Sequence, residues 1–118
     1  MYEYKCVIGR IVDGDTVDVD IDLGFGVWLI NRRIRLKGID APETRTRDLF
    51  EKEKGFESKA YVEAFLPVGS KQRLISLQFA EGKYGRIIGD FMVFDKAYDA
   101  ERLLTELMLR DGVAKVYE

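Results

Sequence analysis

Thr16 to Gly24 reads TVDVDIDLG. Apolar and acidic residues alternate strictly: Val17, Val19, Ile21 and Leu23 fall on one side, Asp18, Asp20 and Asp22 on the other. A period of two is the pattern of a half-buried strand, with successive side chains on opposite faces of a sheet. The stretch before it, YKCVIGRIV, reads as a second strand in which Gly9 marks a bend or bulge. The stretch after it, VWLINRRIRLKGI, places Ile34 and Leu36 on one face and Arg33, Arg35 and Lys37 on the other. Gly24-Phe25-Gly26 between them reads as a hairpin turn. Three strands joined by short turns form a meander.

From about Leu49 to Leu66 the period changes. Phe56, Ala60, Ala64 and Phe65 fall on one helical face, and Pro67-Val68-Gly69 stops the helix. RLISLQFAEG and GRIIGDFMVF follow as two more strands around the turn EGKYG. DAERLLTELMLRDG reads as a second helix, with Asp99 as N-cap, Leu103, Leu104, Leu107 and Met108 as its apolar stripe and Gly112 as C-terminal cap. The order βββ-α-ββ-α predicts a mainly β fold of the α+β kind, a small five-stranded barrel of the OB type with two packed helices.

The totals agree with one domain spanning residues 1–118. Hydrophobic residues at 47% and charged residues at 34% place the chain among globular proteins. Nineteen basic against twenty-one acidic residues leave a net charge of −2, so no global basic field advertises a polyanion partner; a local basic site stays open. The single cysteine, Cys6, excludes an internal disulfide and is expected buried in the first strand. MYEYKCVIGR carries early charges and no apolar run, and no stretch approaches the roughly 20 apolar residues of a membrane span. The expectation is a cytoplasmic monomer without a membrane partner. The absence of histidine removes Ser-His-Asp and Cys-His schemes and imidazole bases. Chemistry on this chain must run on carboxylates, Arg, Lys, Tyr and a metal held by oxygen.

Three acidic spots compete for that role. DGDT, Asp13 to Thr16, reads either as a tight turn or as a source of a metal ligand, Asp15. DVDIDLG does not fit a calcium loop, because positions 6 and 12 of such a loop, which need Gly and Glu, hold Leu23 and Leu29. The third is IDAPET, Ile39 to Thr44, where Asp40 and Glu43 flank Pro42 at the end of a basic strand. A turn needs the Asp and the Pro; it does not need the Glu. The combination has coherent chemistry. Aspartates and a backbone carbonyl form part of a hard cation's oxygen shell, guanidiniums clamp phosphate oxygens, and a glutamate beside them orients or deprotonates water.

VDGDTV (Val12–Val17), RLKGIDAPET (Arg35–Thr44), KYGR (Lys83–Arg86) and LLTELMLRDGVAKVY (Leu103–Tyr117) together resemble the staphylococcal nuclease family, in order and spacing. The resemblance implies an OB-fold barrel and a Ca²⁺-dependent endonuclease that cleaves DNA or RNA, single-stranded or frayed by preference, leaving 3′-phosphates. It implies Asp15, Asp40 and the Ala41 carbonyl as metal ligands, with Asp13 behind them. It implies Glu43 at the attacking water, and Arg35 and Arg86 at the phosphate, with Arg86 nearest the leaving oxygen. Lys83 and Tyr84 match residues that hold a neighbouring phosphate; Tyr117 either stacks on a base or covers the barrel edge. The alternative is a non-catalytic nucleic-acid- or protein-binding module of the same fold. Such copies lose the acids or the arginines, and here all are present.

Overall fold

The computed structural model describes residues 2–79 and 87–117. Its elements are β1 (Tyr2–Asp13), β2 (Thr16–Gly24), β3 (Val27–Leu36), β4 (Ile39–Asp40), α1 (Leu49–Phe65), β5 (Lys71–Phe79), β6 (Ile87–Asp95), β7 (Ala100–Leu103), α2 (Leu104–Arg110) and β8 (Lys115–Val116). The fold is mainly β with two helices.

Alternation in β2 does what its pattern predicts. Val17, Val19 and Ile21 are buried, and so are Ile34 and Leu36 across the ladder, where Val17 pairs with Ile34. Leu23 departs from the expectation and is exposed, because the end of the hairpin runs past the core. Asp18, on the outward side, is also covered: Arg33 lies directly opposite and closes a two-pronged pair on it, at 2.9 and 3.2 Å. The expected bend at Gly9 appears as a register shift between Ile8 and Arg10 against β2.

Hydrogen-bonded neighbours run β3-β2-β1-β5-β6-β7, and β3 also pairs with β6. The five long strands therefore pair in a ring, β1-β2-β3-β6-β5, as the barrel expectation requires. The pairing that completes the ring is parallel, Ile34 to Ile87 and Leu36 to Gly89. Inside lie Ile8, Ile11, Leu74 and Phe91, joined by Val62 and Leu66 from the α1 end and Leu104, Leu107 and Met108 from α2. Each such side chain contributes about 1.5–3 kcal/mol by leaving water.

Both helices correct the sequence reading in part. α1 has the expected limits, and Asp48 caps it by accepting from the Phe50 and Glu51 N–H groups. Its inward face is different: Gly55, Ser58 and Val62 are buried, while Phe56, Ala60 and Ala64 are exposed. The helix meets the barrel through small residues, which an apolar stripe does not reveal. The second helix does not start at Asp99. Ala100–Leu103 instead pairs with Met92–Asp95 as β7, and Asp99 sits in a turn with φ of 50°. The helix begins at Leu104, and its N-cap residue, Leu103, offers no side-chain oxygen. Asp90 of β6 takes that place, accepting from the Thr105 N–H and hydroxyl.

No helix among the described residues is long and apolar enough to cross a membrane.

Candidate active site

The Gly14-Asp15 turn joins β1 to β2, closed by the Asp13–Thr16 pair. It is fastened to the end of β3, since the Asp15 carbonyl accepts the Leu36 N–H at 2.9 Å. The Asp15 carboxylate has two partners of its own. One oxygen accepts the Thr16 hydroxyl at 2.9 Å; the other accepts the Ala41 N–H at 3.1 Å. That second bond ties the DGDT turn directly to the IDAPET stretch. A parallel tie comes from Thr44, whose hydroxyl donates to Asp13 at 2.7 Å. The two acidic segments singled out in the sequence are therefore stitched together by two hydrogen bonds.

Arg35 lies between them. Its strand partner is Thr16, which puts its side chain over the DGDT turn. One guanidinium nitrogen is 3.6 Å from an Asp15 oxygen and the other is 3.8 Å from an Asp40 oxygen. Those spacings are ion pairs without close hydrogen bonds. The first nitrogen also donates to the Leu36 carbonyl at 3.1 Å. The contrast with Arg33, two residues away, is informative: Arg33 is consumed by Asp18, whereas Arg35 stands between two acids with both contacts loose. An arginine held this way keeps donors for an incoming anion.

β4 carries Asp40 next to β8, with Asp40 opposite Lys115 and Ile39 opposite Val116. The Tyr117 N–H then donates to the Gly38 carbonyl at 3.0 Å. This short pairing brings the Tyr117 ring to 5.5 Å from the Arg35 guanidinium carbon, within cation–π range. Tyr117 thus reaches the site. Asp40 and Ala41 also line a cleft of about 460 Å³, walled by Pro42, Phe50, Lys54 and Lys115.

Glu43 follows Pro42 and is exposed to solvent. It lies one residue before Thr44, whose bond to Asp13 holds that segment against the DGDT turn. Arg86, Lys83 and Tyr84 lie outside the described residues; Ile87, the next in sequence, is held beside Ile34 in the parallel ladder.

Asp15 and Asp40 thus converge on one guanidinium, with Asp40 in the more open position at 44% exposure against 14%. Among the described residues no third Asp, Glu or Cys completes a ready-made metal cage. Two carboxylates with a nearby backbone carbonyl suit a hard cation that fills its remaining positions with water. Sequence reasoning left Thr44 without a role and Ala41 with its carbonyl alone. The Ala41 N–H and the Thr44 hydroxyl are what join the two acidic segments, and neither pairing is signalled by local sequence.

A family model described as Staphylococcal nuclease homologue matches residues 33–118. Comparison with curated proteins gives no match. The matched span contains Arg35, Asp40, Glu43 and Arg86, while the Asp15 turn lies ahead of it and is joined to it by the bonds just described. With well over half of its length matched, the chain belongs to the staphylococcal nuclease homologue family.

Proposed function

We propose that this protein is a Ca²⁺-dependent nuclease that hydrolyses phosphodiester bonds in single-stranded or frayed DNA or RNA and leaves 3′-phosphate ends. The observation that carries the reading is Arg35 held loosely between Asp15 and Asp40, with those acids stitched together through Ala41. That arrangement offers a metal side and a phosphate side within one guanidinium's reach.

Asp15, Asp40 and the Ala41 carbonyl would hold the cation. When bound, Ca²⁺ supplies charge neutralisation and polarisation at a phosphoryl oxygen. Arg35 presents its donors to the non-bridging phosphate oxygens, where negative charge grows during attack. Glu43, exposed at the start of the following loop, orients a water and accepts its proton. Arg86 completes the clamp from the leaving-oxygen side, and Lys83 and Tyr84 hold the neighbouring phosphate. Tyr117, already against Arg35, offers a ring on which a base stacks.

The test is to incubate the protein with single-stranded DNA in Ca²⁺ and again with a chelator. Cleavage in the first, none in the second and 3′-phosphate product ends are expected. Binding without cleavage under both conditions would instead identify a non-catalytic nucleic-acid module.

A further inference from the structure

The inward face of α1 does not look like the face of a helix selected for core packing. Its first two buried residues are Gly55 and Ser58, and each meets one of the acidic segments from behind. Gly55 lies against the peptide that joins Glu43 to Thr44. A Cβ at position 55 would stand 2.5 Å from the Glu43 carbonyl oxygen and 2.9 Å from the Thr44 nitrogen. Both obstacles are backbone, so neither can rotate away. Ser58 lies against Gly14, between Asp13 and Asp15; a Cβ on Gly14 would overlap the Ser58 hydroxyl and crowd Ala41.

Ser58 carries the second observation. Its side chain is fully buried, and its hydroxyl finds no hydrogen-bond partner among the described residues. A buried, unpartnered hydroxyl costs stability, and alanine would avoid that cost. Stability of the fold alone therefore does not account for serine here. What the extra atom does is fill the space beneath the Asp13–Asp15 turn.

We propose that Gly55 and Ser58 are positioning residues: α1 is a bracket that sets Glu43 through Gly55 and the Asp15 turn through Ser58. This rests on the nuclease reading above. The two contacts have separable consequences. Displacing Glu43 should harm the chemical step more than metal uptake, which it reaches only through the Thr44–Asp13 bond; loosening the Asp15 turn should harm metal uptake directly.

Two variants read this out, with Ca²⁺ affinity measured by calorimetry, thermal midpoint by circular dichroism and steady-state cleavage of single-stranded DNA. Ser58→Ala should fold with a midpoint equal to or above that of the wild type, yet bind Ca²⁺ about tenfold more weakly, the scale typical of residues behind a metal ligand. Gly55→Ala must part helix and loop by about 0.5 Å to bring its shortest contact to 3.0 Å. It should lower kcat by about 100-fold, the scale of a small misplacement at a reacting group. Its Ca²⁺ affinity should fall less than that of Ser58→Ala, because the displaced peptide reaches the Asp15 turn only indirectly, through the Thr44–Asp13 bond. If Gly55→Ala does not fold, Ser58→Ala decides alone. A Ser58→Ala protein with wild-type Ca²⁺ affinity overturns the bracket, as does a folded Gly55→Ala protein with wild-type kcat. Wild-type protein that takes up no Ca²⁺ and cuts no DNA sinks the nuclease reading itself. A wild type that does both, with variants indistinguishable from it, sinks only the bracket.

Discussion

Arg33 and Arg35 share a face of β3 and look alike in sequence, yet their surroundings separate them. Asp18 takes both prongs of Arg33. Arg35 keeps its two acids at 3.6 and 3.8 Å. The same contrast applies to the carboxylates: Asp15 is held by Thr16 and Ala41, whereas Glu43 is exposed to solvent. A fixed acid suits a ligand, and an acid open to water suits proton transfer from it. Glu43→Gln should therefore lower turnover on single-stranded DNA by about 10²–10⁴-fold, the usual worth of a general base. Ca²⁺ affinity by calorimetry should be nearly unchanged; a matching loss of both would make Glu43 a ligand. Cys6, by contrast, has no part in this chemistry. It is buried, and burial pushes its thiol up to about 12, far from the thiolate that reacts.

Elements differ in how openly their sequence declares them. β2 and β3 were legible because one buried face imposes a period of two on Val17, Val19, Ile21, Ile34 and Leu36. The inward face of α1 was not, because Gly55 and Ser58 contact loops by close approach and carry no hydrophobic signal. The start of α2 was hidden for another reason. Ala100–Leu103 has good helix formers, but the open edge of β6 captures it as a strand. Its cap, Asp90, comes from β6, 15 residues before Thr105. Burial raises the Asp90 carboxyl above its usual range, opposed by its bonds to Thr105 and Phe91. Because the folded value is raised, the Asp90 contribution to stability is complete in acid and is lost as pH rises through that value. Asp90→Asn keeps an acceptor for the Phe91 and Thr105 N–H groups, so it should remove this decline. Denaturant unfolding measured from acid to neutral pH should show a smaller loss over that interval than in the wild type. An unchanged profile would mean that Asp90 does not set it.

At the scale of the whole molecule, the ring of five strands brings together segments that lie far apart in sequence. Asp15 and Ala41 are 26 residues apart and share a hydrogen bond; Gly38 and Tyr117 do so across about two thirds of the chain. The acids and the arginine were legible as residue types in a recognisable order. Their stitching was not, since it depends on where barrel closure and the β4–β8 pairing place them. The net charge of −2 means that attraction to a polyanion must come from local guanidiniums and lysines. Binding of single-stranded DNA, measured in the presence of a chelator to suppress cleavage, should weaken steadily as salt rises, since each neutralised phosphate releases counterions. Affinity that does not move with salt would argue against backbone recognition.

The central claim is that Arg35, between Asp15 and Asp40, faces the phosphate in a hydrolytic centre. The most direct measurement is the rate of single-stranded DNA cleavage at saturating Ca²⁺ for the wild type and for Arg35→Ala. The account predicts metal-dependent cleavage by the wild type and a loss of about 10²–10³-fold in the variant, as when a preorganised donor to a developing charge is removed. A variant within a few-fold of the wild type, or a wild type inert in Ca²⁺, would contradict it.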